Sequence, residues 1–159
     1  MLVLAIDKHL KCKFTAEPEE GQSLIFVTKE GITLVNTKEK KDSHESKLLT
    51  YLVSKFNRVP GFALTISVIE AGIPVSAGLG SSAAYAACLS AAIASVANHI
   101  TGDEYEASVL DDIIADGTNY LEQLQHGQAS GCDAACILKG GCIAYQLKFP
   151  PEVTEITAL

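Results

Sequence analysis

The sequence predicts an α+β domain, a mixed sheet packed on buried helices. Three observations carry this. Leu10, Cys12 and Phe14 alternate with Lys11, Lys13 and Thr15, the period of a strand with one buried face. A second alternating run, Phe62, Leu64, Ile66 and Val68, enters a glycine loop that opens straight into an alanine-rich helix. Strands crowd the first half and apolar helices the second, rather than alternating as in a parallel α/β sheet. With 159 residues, 48% of them hydrophobic, one domain with a sizeable core is the natural count.

Taken in order, residues 23–27 and 32–36 read as strands joined by a Thr28-Lys29-Glu30-Gly31 turn, and 37–43 as a polar loop. Asp42-x-x-Glu45 resembles a capping box, and Leu48, Leu49, Leu52, Val53 and Phe56 then mark one helical face, ended by Pro60-Gly61. The strand at 62–69 follows. Residues 82–99 are apolar nearly all round, which predicts a central buried helix whose alanines admit close neighbours. A polar turn at 100–104 leads to a helix over 104–125, with Leu110, Ile113, Ile114, Gly117, Leu121 and Leu124 on its inner stripe. Strands are expected at 134–138 and 142–147, before Pro150-Pro151 breaks the pattern.

A net charge of −7 argues against nucleic acid and acidic membranes as partners. The basic run at 38–41 reads as a solvated loop. Mean hydropathy of +0.22 is high for a soluble domain and suggests an apolar face that packs on something further. No run reaches the roughly eighteen uninterrupted apolar residues of a membrane span, and Asp7, Lys8 and Lys11 break any signal-like stretch. Cys12, Cys88, Cys132, Cys136 and Cys142 form an odd set without paired spacing, as in a reducing cytoplasm. His126 with the last three cysteines raises zinc. The Cys-x3-Cys-x5-Cys spacing is poor for it, and small buried side chains explain them better.

The segment Ile73-Pro74-Val75-Ser76-Ala77-Gly78-Leu79-Gly80-Ser81-Ser82-Ala83-Ala84-Tyr85 carries the chemistry. Glycines let backbone N–H groups curl round an anion, and the helix behind adds free N–H groups and a positive dipole end. The hydroxyls of Ser81 and Ser82 can bind oxygen or a hard cation such as Mg2+. An ordinary loop with Ser81 or Ser82 as N-cap is the plain alternative. A dinucleotide fingerprint, Gly78-x-Gly80-x-x-Ala83, needs a second parallel strand after the helix, and Ile100-Thr101-Gly102-Asp103-Glu104 is a turn instead. No Gly-Lys-Ser/Thr follows the glycines, so a Walker loop is excluded.

Residues 73–85 resemble the glycine loop of the GHMP small-molecule kinases. A second segment, His126-Gly127-Gln128-Ala129-Ser130-Gly131-Cys132-Asp133, followed by Gly140-Gly141, is similar to that of the mevalonate kinases within that superfamily. The likeness spans about residues 2–145. It implies a fold like domain 2 of ribosomal protein S5, with 1–148 as the ATP-binding N-terminal-like domain and 149–159 as the start of a C-terminal region. Family members also carry an upstream Pro-Gly-Lys strand, a Gly-Glu-His segment and a second C-terminal glycine loop. None is found here, so the chain is expected to correspond to the middle of a kinase.

The resemblance implies phosphorylation of mevalonate to 5-phosphomevalonate by ATP, in isoprenoid synthesis. Phosphomevalonate kinase or a catalytically incompetent fragment are the alternatives. Backbone groups of Ser76, Ala77, Gly78, Leu79, Gly80, Ser81 and Ser82 would hold the phosphates. Ser82 and Glu122 would ligate Mg2+, and Asp133 would accept or orient the substrate hydroxyl. Glu122 has an ordinary reading as an exposed helix carboxylate, and Asp133 one as a turn cap. His126 reads as a helix C-terminal residue. Lys139 lies too close to a strand pair to replace the family's lysine. A cytoplasmic location and a homodimer are compatible with this.

Overall fold

A computed structural model describes residues 2–5, 7–74, 78–102, 105–146 and 152–155. Its elements are β1 (Leu2–Leu4), β2 (Leu10–Pro18), β3 (Gln22–Val27), β4 (Thr33–Asn36), α1 (His44–Val53), β5 (Phe62–Ala71), α2 (Ser81–Thr101), α3 (Ala107–His126), α4 (Cys132–Lys139), β6 (Cys142–Gln146) and β7 (Glu152–Glu155). The strands form two sheets, β2-β5-β3-β4 and β1-β6-β7. In the larger, β3 and β5 run parallel and the other pairs antiparallel. This is the mixed α+β arrangement the sequence predicts. Of the turn expected at 100–104, Ile100 and Thr101 instead finish α2 and Gly102 is its C-cap, while residues 103–104, like Pro150-Pro151, lie outside the described residues.

The alternation in β5 works as expected. Phe62, Leu64 and Ile66 are fully buried, while Ala63, Thr65 and Ser67 between them are only half-buried. They join Leu24 and Phe26 of β3, Leu48 and Leu52 of α1, Leu89 and Ile93 of α2 and Leu121 of α3 in one core. Each such side chain contributes on the order of 1.5–3 kcal/mol by leaving water. The prediction for β2 holds less well, since Phe14 is 45% exposed. Strand β2 is at the edge of its sheet among the described residues.

Helix α2 is the central element expected, with ten residues buried along its length. By length and composition it could span a membrane, but 56% of its most apolar stretch is buried inside the fold. Its alanines admit α3 closely, and Gly117 completes the fit. A Cβ there would lie 2.8 Å from both Leu52 Cδ2 and Ser90 Oγ.

Two local readings need correction. Ser43, not Asp42, caps α1, accepting from the Ser46 backbone N–H at 3.1 Å. Residues 134–138 are not a strand but the body of α4. That run of Ala-Ala-Cys-Ile-Leu is short and apolar, so periodicity cannot tell strand from buried helix. The glycines decide it: Gly131 at φ 75 starts the helix and Gly140 at φ 70 ends it. Cys132, Cys136 and Cys142 are buried as expected.

Candidate functional site

Strand β5 delivers the chain to the glycine loop, and α2 begins beyond it. Within the loop, 75–77, including Ser76 and Ala77, lie outside the described residues. Gly78 and Gly80 take φ values of 69 and 71, the left-handed region that glycine enters without a steric cost. Gly80 is the N-cap of α2, and no side chain caps the helix. Neither Ser81 nor Ser82 therefore has the plain capping role. The first intrahelical bond runs from Ala84 N–H to Gly80 O at 2.9 Å. The N–H groups before it are left for an outside acceptor, at the positive end of a helix running from Ser81 to Thr101.

Asp133 stands beside that end. A Cβ placed on Gly80 would lie 3.8 Å from Asp133 Cβ and 4.0 Å from its carboxyl carbon. Asp133 is exposed and sits in the first turn of α4, whose N-cap Gly131 likewise has no side-chain cap. The turn cap envisaged for Asp133 is thus not its role. The short segment before α4 is held from several sides. Ser130 Oγ accepts from the Cys132 backbone N–H at 3.2 Å, and the Tyr145 hydroxyl donates to the Ser130 carbonyl. Gly131 is packed so closely that an added Cβ would meet Tyr145 Oη at 3.0 Å and Asn119 Oδ1 at 3.3 Å. Burial holds the Tyr145 hydroxyl above its usual pKa, so it remains a donor at neutral pH.

The result is that the uncapped N-terminus of α2 and the first turn of α4 lie close together, with Asp133 beside Gly80. Main-chain dipoles at the start of α2 can supply positive field for an anion there.

Glu122 departs from its ordinary reading. It is only 7% exposed, and its Oε1 is buried without a hydrogen-bond partner. His126 Nε2 is 3.7 Å away, one helical turn on. An orphaned buried carboxylate oxygen is costly unless something else meets it. The packing of α3 on α2 sets its height. Gly117 faces Ser90, and the two helices form a hairpin. Glu122 lies five residues beyond Gly117, toward the C-terminal end of α3.

Gly78, Leu79, Gly80 and Asp133 share one cavity of about 840 Å³. Ser81, Ser82 and Glu122 do not line it. Lys8, Asp111, Asp112 and Lys139 also line this cavity, and sequence reasoning did not place them there. Lys139 ends α4 three residues before β6, and it pairs at 3.5 Å with Glu155 of β7, so it does lie beside a strand pair, β6–β7. Reading 134–138 as a strand hid that geometry.

Comparison with known proteins identifies the family and fold. The family described as GHMP kinases N terminal domain matches residues 45–141. The chain belongs to the GHMP kinase family. A mevalonate kinase of Aeropyrum pernix is 35% identical over 97 residues, covering 58% of this chain and 28% of that protein. One from Candida albicans is 31% identical over 97 residues, or 56% of this chain and 22% of the relative. The match thus takes in about a quarter of the length of these curated relatives. Among solved structures, the Methanococcus jannaschii mevalonate kinase superposes with a TM-score of 0.61 at 20% identity, over 94% of this chain and 47% of the other. A homoserine kinase from Cytophaga hutchinsonii does so with a TM-score of 0.61 at 21% identity, over 91% and 42%. At such identities the likeness shows the GHMP fold, which several kinases share.

Proposed function

We propose that this chain supplies the ATP-binding half of a mevalonate-kinase-type phosphotransferase, which moves the γ-phosphoryl group of ATP to the 5-hydroxyl of mevalonate. Family membership makes the kinase class firm. Mevalonate as acceptor rests on the two curated relatives, both mevalonate kinases. The observation that carries the site is the Asp133 carboxyl carbon 4.0 Å from the Cβ direction of Gly80. A phosphate held on the loop would lie within reach of a carboxylate able to meet the acceptor hydroxyl.

Phosphoryl transfer asks a protein chiefly to position reactants and to neutralise charge. The backbone N–H groups from Ser76 to Ser82 would cradle the phosphates, as the uncapped start of α2 favours. Asp133 would accept the hydroxyl proton, or fix the hydroxyl in line for attack. The Tyr145–Ser130 and Ser130–Cys132 bonds keep that aspartate in place.

Mg2+ fits the donors available. Ser82 and Glu122 would be its protein ligands, and the unpartnered Oε1 of Glu122 is the feature that suits it. No group of three or more His, Cys, Asp or Glu side chains is gathered for a metal among the described residues. Mg2+ needs none, since it is commonly held by one or two carboxylates together with substrate phosphates. When bound, it would supply neutralisation of charge on the phosphate oxygens.

A second reading is a domain that holds nucleotide without turnover, favoured by the partial span of the relatives. A coupled ADP-release assay with mevalonate, phosphomevalonate and homoserine separates the two. Release with mevalonate that disappears in Asp133→Asn supports the kinase. Release with another acceptor instead would replace mevalonate. Mg-ATP stabilisation without any release supports the binding domain.

A further inference from the structure

Cys12 on β2 and Cys88 on α2 are the two half-buried cysteines, whereas Cys132, Cys136 and Cys142 are buried. The first two lie on elements packed against each other, β2 and α2, near enough for each thiol to shift the other's acidity. Cys88 Sγ also lies 3.7 Å from the carbonyl oxygen of Leu10, two residues before Cys12 on the same strand. Its S–H can turn between that carbonyl and the Cys12 sulfur. Tyr85, one turn earlier on α2, is near enough to Cys12 to feel its charge. The β2–β5 register shifts between Lys11 and Cys12, an irregularity of the kind that re-aims side chains. Cys88 forms part of the wall of the 840 Å³ cavity, so the pair has a route to solvent.

We propose that Cys12 and Cys88 form a peroxide-sensitive dithiol that closes to a disulfide tying β2 to α2. The two thiols differ in acidity in a way that suits the chemistry. Donation from Cys88 holds the Cys12 thiol below its ordinary pKa, and that same bond, with burial, holds Cys88 above it. Cys12 is the better thiolate and Cys88 keeps its proton. In the first step the Cys12 thiolate attacks one peroxide oxygen. The O–O bond breaks, hydroxide leaves, and Cys12 becomes a sulfenic acid. Cys88 then attacks that sulfur. The S–S bond forms, the S–O bond breaks, and the Cys88 proton leaves with the hydroxyl as water. The proton lost when Cys12 ionised converts the first hydroxide to a second water. Two thiols and one peroxide thus give one disulfide and two waters.

The test needs no kinase activity. The full chain is treated with hydrogen peroxide, remaining thiols are alkylated, and the digest is mapped by mass spectrometry. The expected result is a Cys12–Cys88 linked peptide, with two of the five thiols protected. Melting should rise by on the order of 5 °C, because the bond closes a long loop of the unfolded chain. Dithiothreitol should reverse both effects, and Cys12→Ser or Cys88→Ser, melting like the reduced wild type, should show neither. Alkylation of both thiols after peroxide, linkage among the other three cysteines, or oxidation of Cys12 beyond sulfenic acid without a linked peptide would each overturn the proposal.

Discussion

Glycine serves opposite ends at the middle of α2 and at its start. Gly117 lies where α3 crosses α2, among side chains that leave no room for another atom. Gly80 lies at the mouth of α2, where the space is ordinary but φ is 71 and the helix is uncapped. The first is glycine for packing. The second is glycine so that main-chain N–H groups stay open beside Asp133. One region spends its sequence on density and the other on keeping polar groups available, and the two should answer mutation differently.

The largest expected effect separates them directly. Asp133→Asn should lower ADP release with mevalonate by about 10²–10⁴-fold, as loss of a general base does. Its melting temperature should stay at the wild-type value, because the carboxylate is exposed. A shared fall in activity and melting would place Asp133 in the fold rather than the chemistry.

Next comes Gly117→Ala. The new methyl would meet Leu52 and Ser90 at 2.8 Å, and overpacking of this kind costs about 1–3 kcal/mol. Urea denaturation should show the loss in midpoint. No loss would mean that α2 and α3 are less tightly packed than described. Gly80→Ala should cost less, about 1–2 kcal/mol from forcing a Cβ into the left-handed region.

Ser43→Ala removes the α1 cap and should cost about 1 kcal/mol. It tests the corrected cap, since Asp42→Ala should then be nearly silent. The smallest effect concerns pH. Burial, and then Glu45, hold the Tyr85 hydroxyl well above its ordinary value. The unfolded chain would release that proton from about pH 10 upward while the folded chain keeps it. The stability Tyr85 contributes is therefore present below pH 10 and lost above it. Tyr85→Phe should flatten that alkaline limb in pH-dependent melting.

Legibility in the sequence followed the same division. The strand at Phe62 declared itself by period, because one buried face writes its pattern into consecutive residues, and the helix over 82–99 by its long, nearly all-round apolar run. Helix α4 did not, being eight residues long and apolar enough to pass for a strand. The glycine loop was legible from its residue types, but the meeting of Asp133 with Gly80 is a long-range contact that no local pattern encodes. Glu122 looked like an exposed carboxylate because its neighbours on α3 are polar. Its burial arises from the packing of α3 on the rest of the fold.

Melting of the protein against rising Mg-ATP, with Gly80→Ala alongside, tests the central claim most directly. A triphosphate held by the open N–H groups of α2 should raise the wild-type transition, by about 2.7 kcal/mol of stability at a hundredfold excess over Kd. The shift should be much smaller in the variant. An unmoved wild-type transition, or an equal shift in both proteins, would contradict the account.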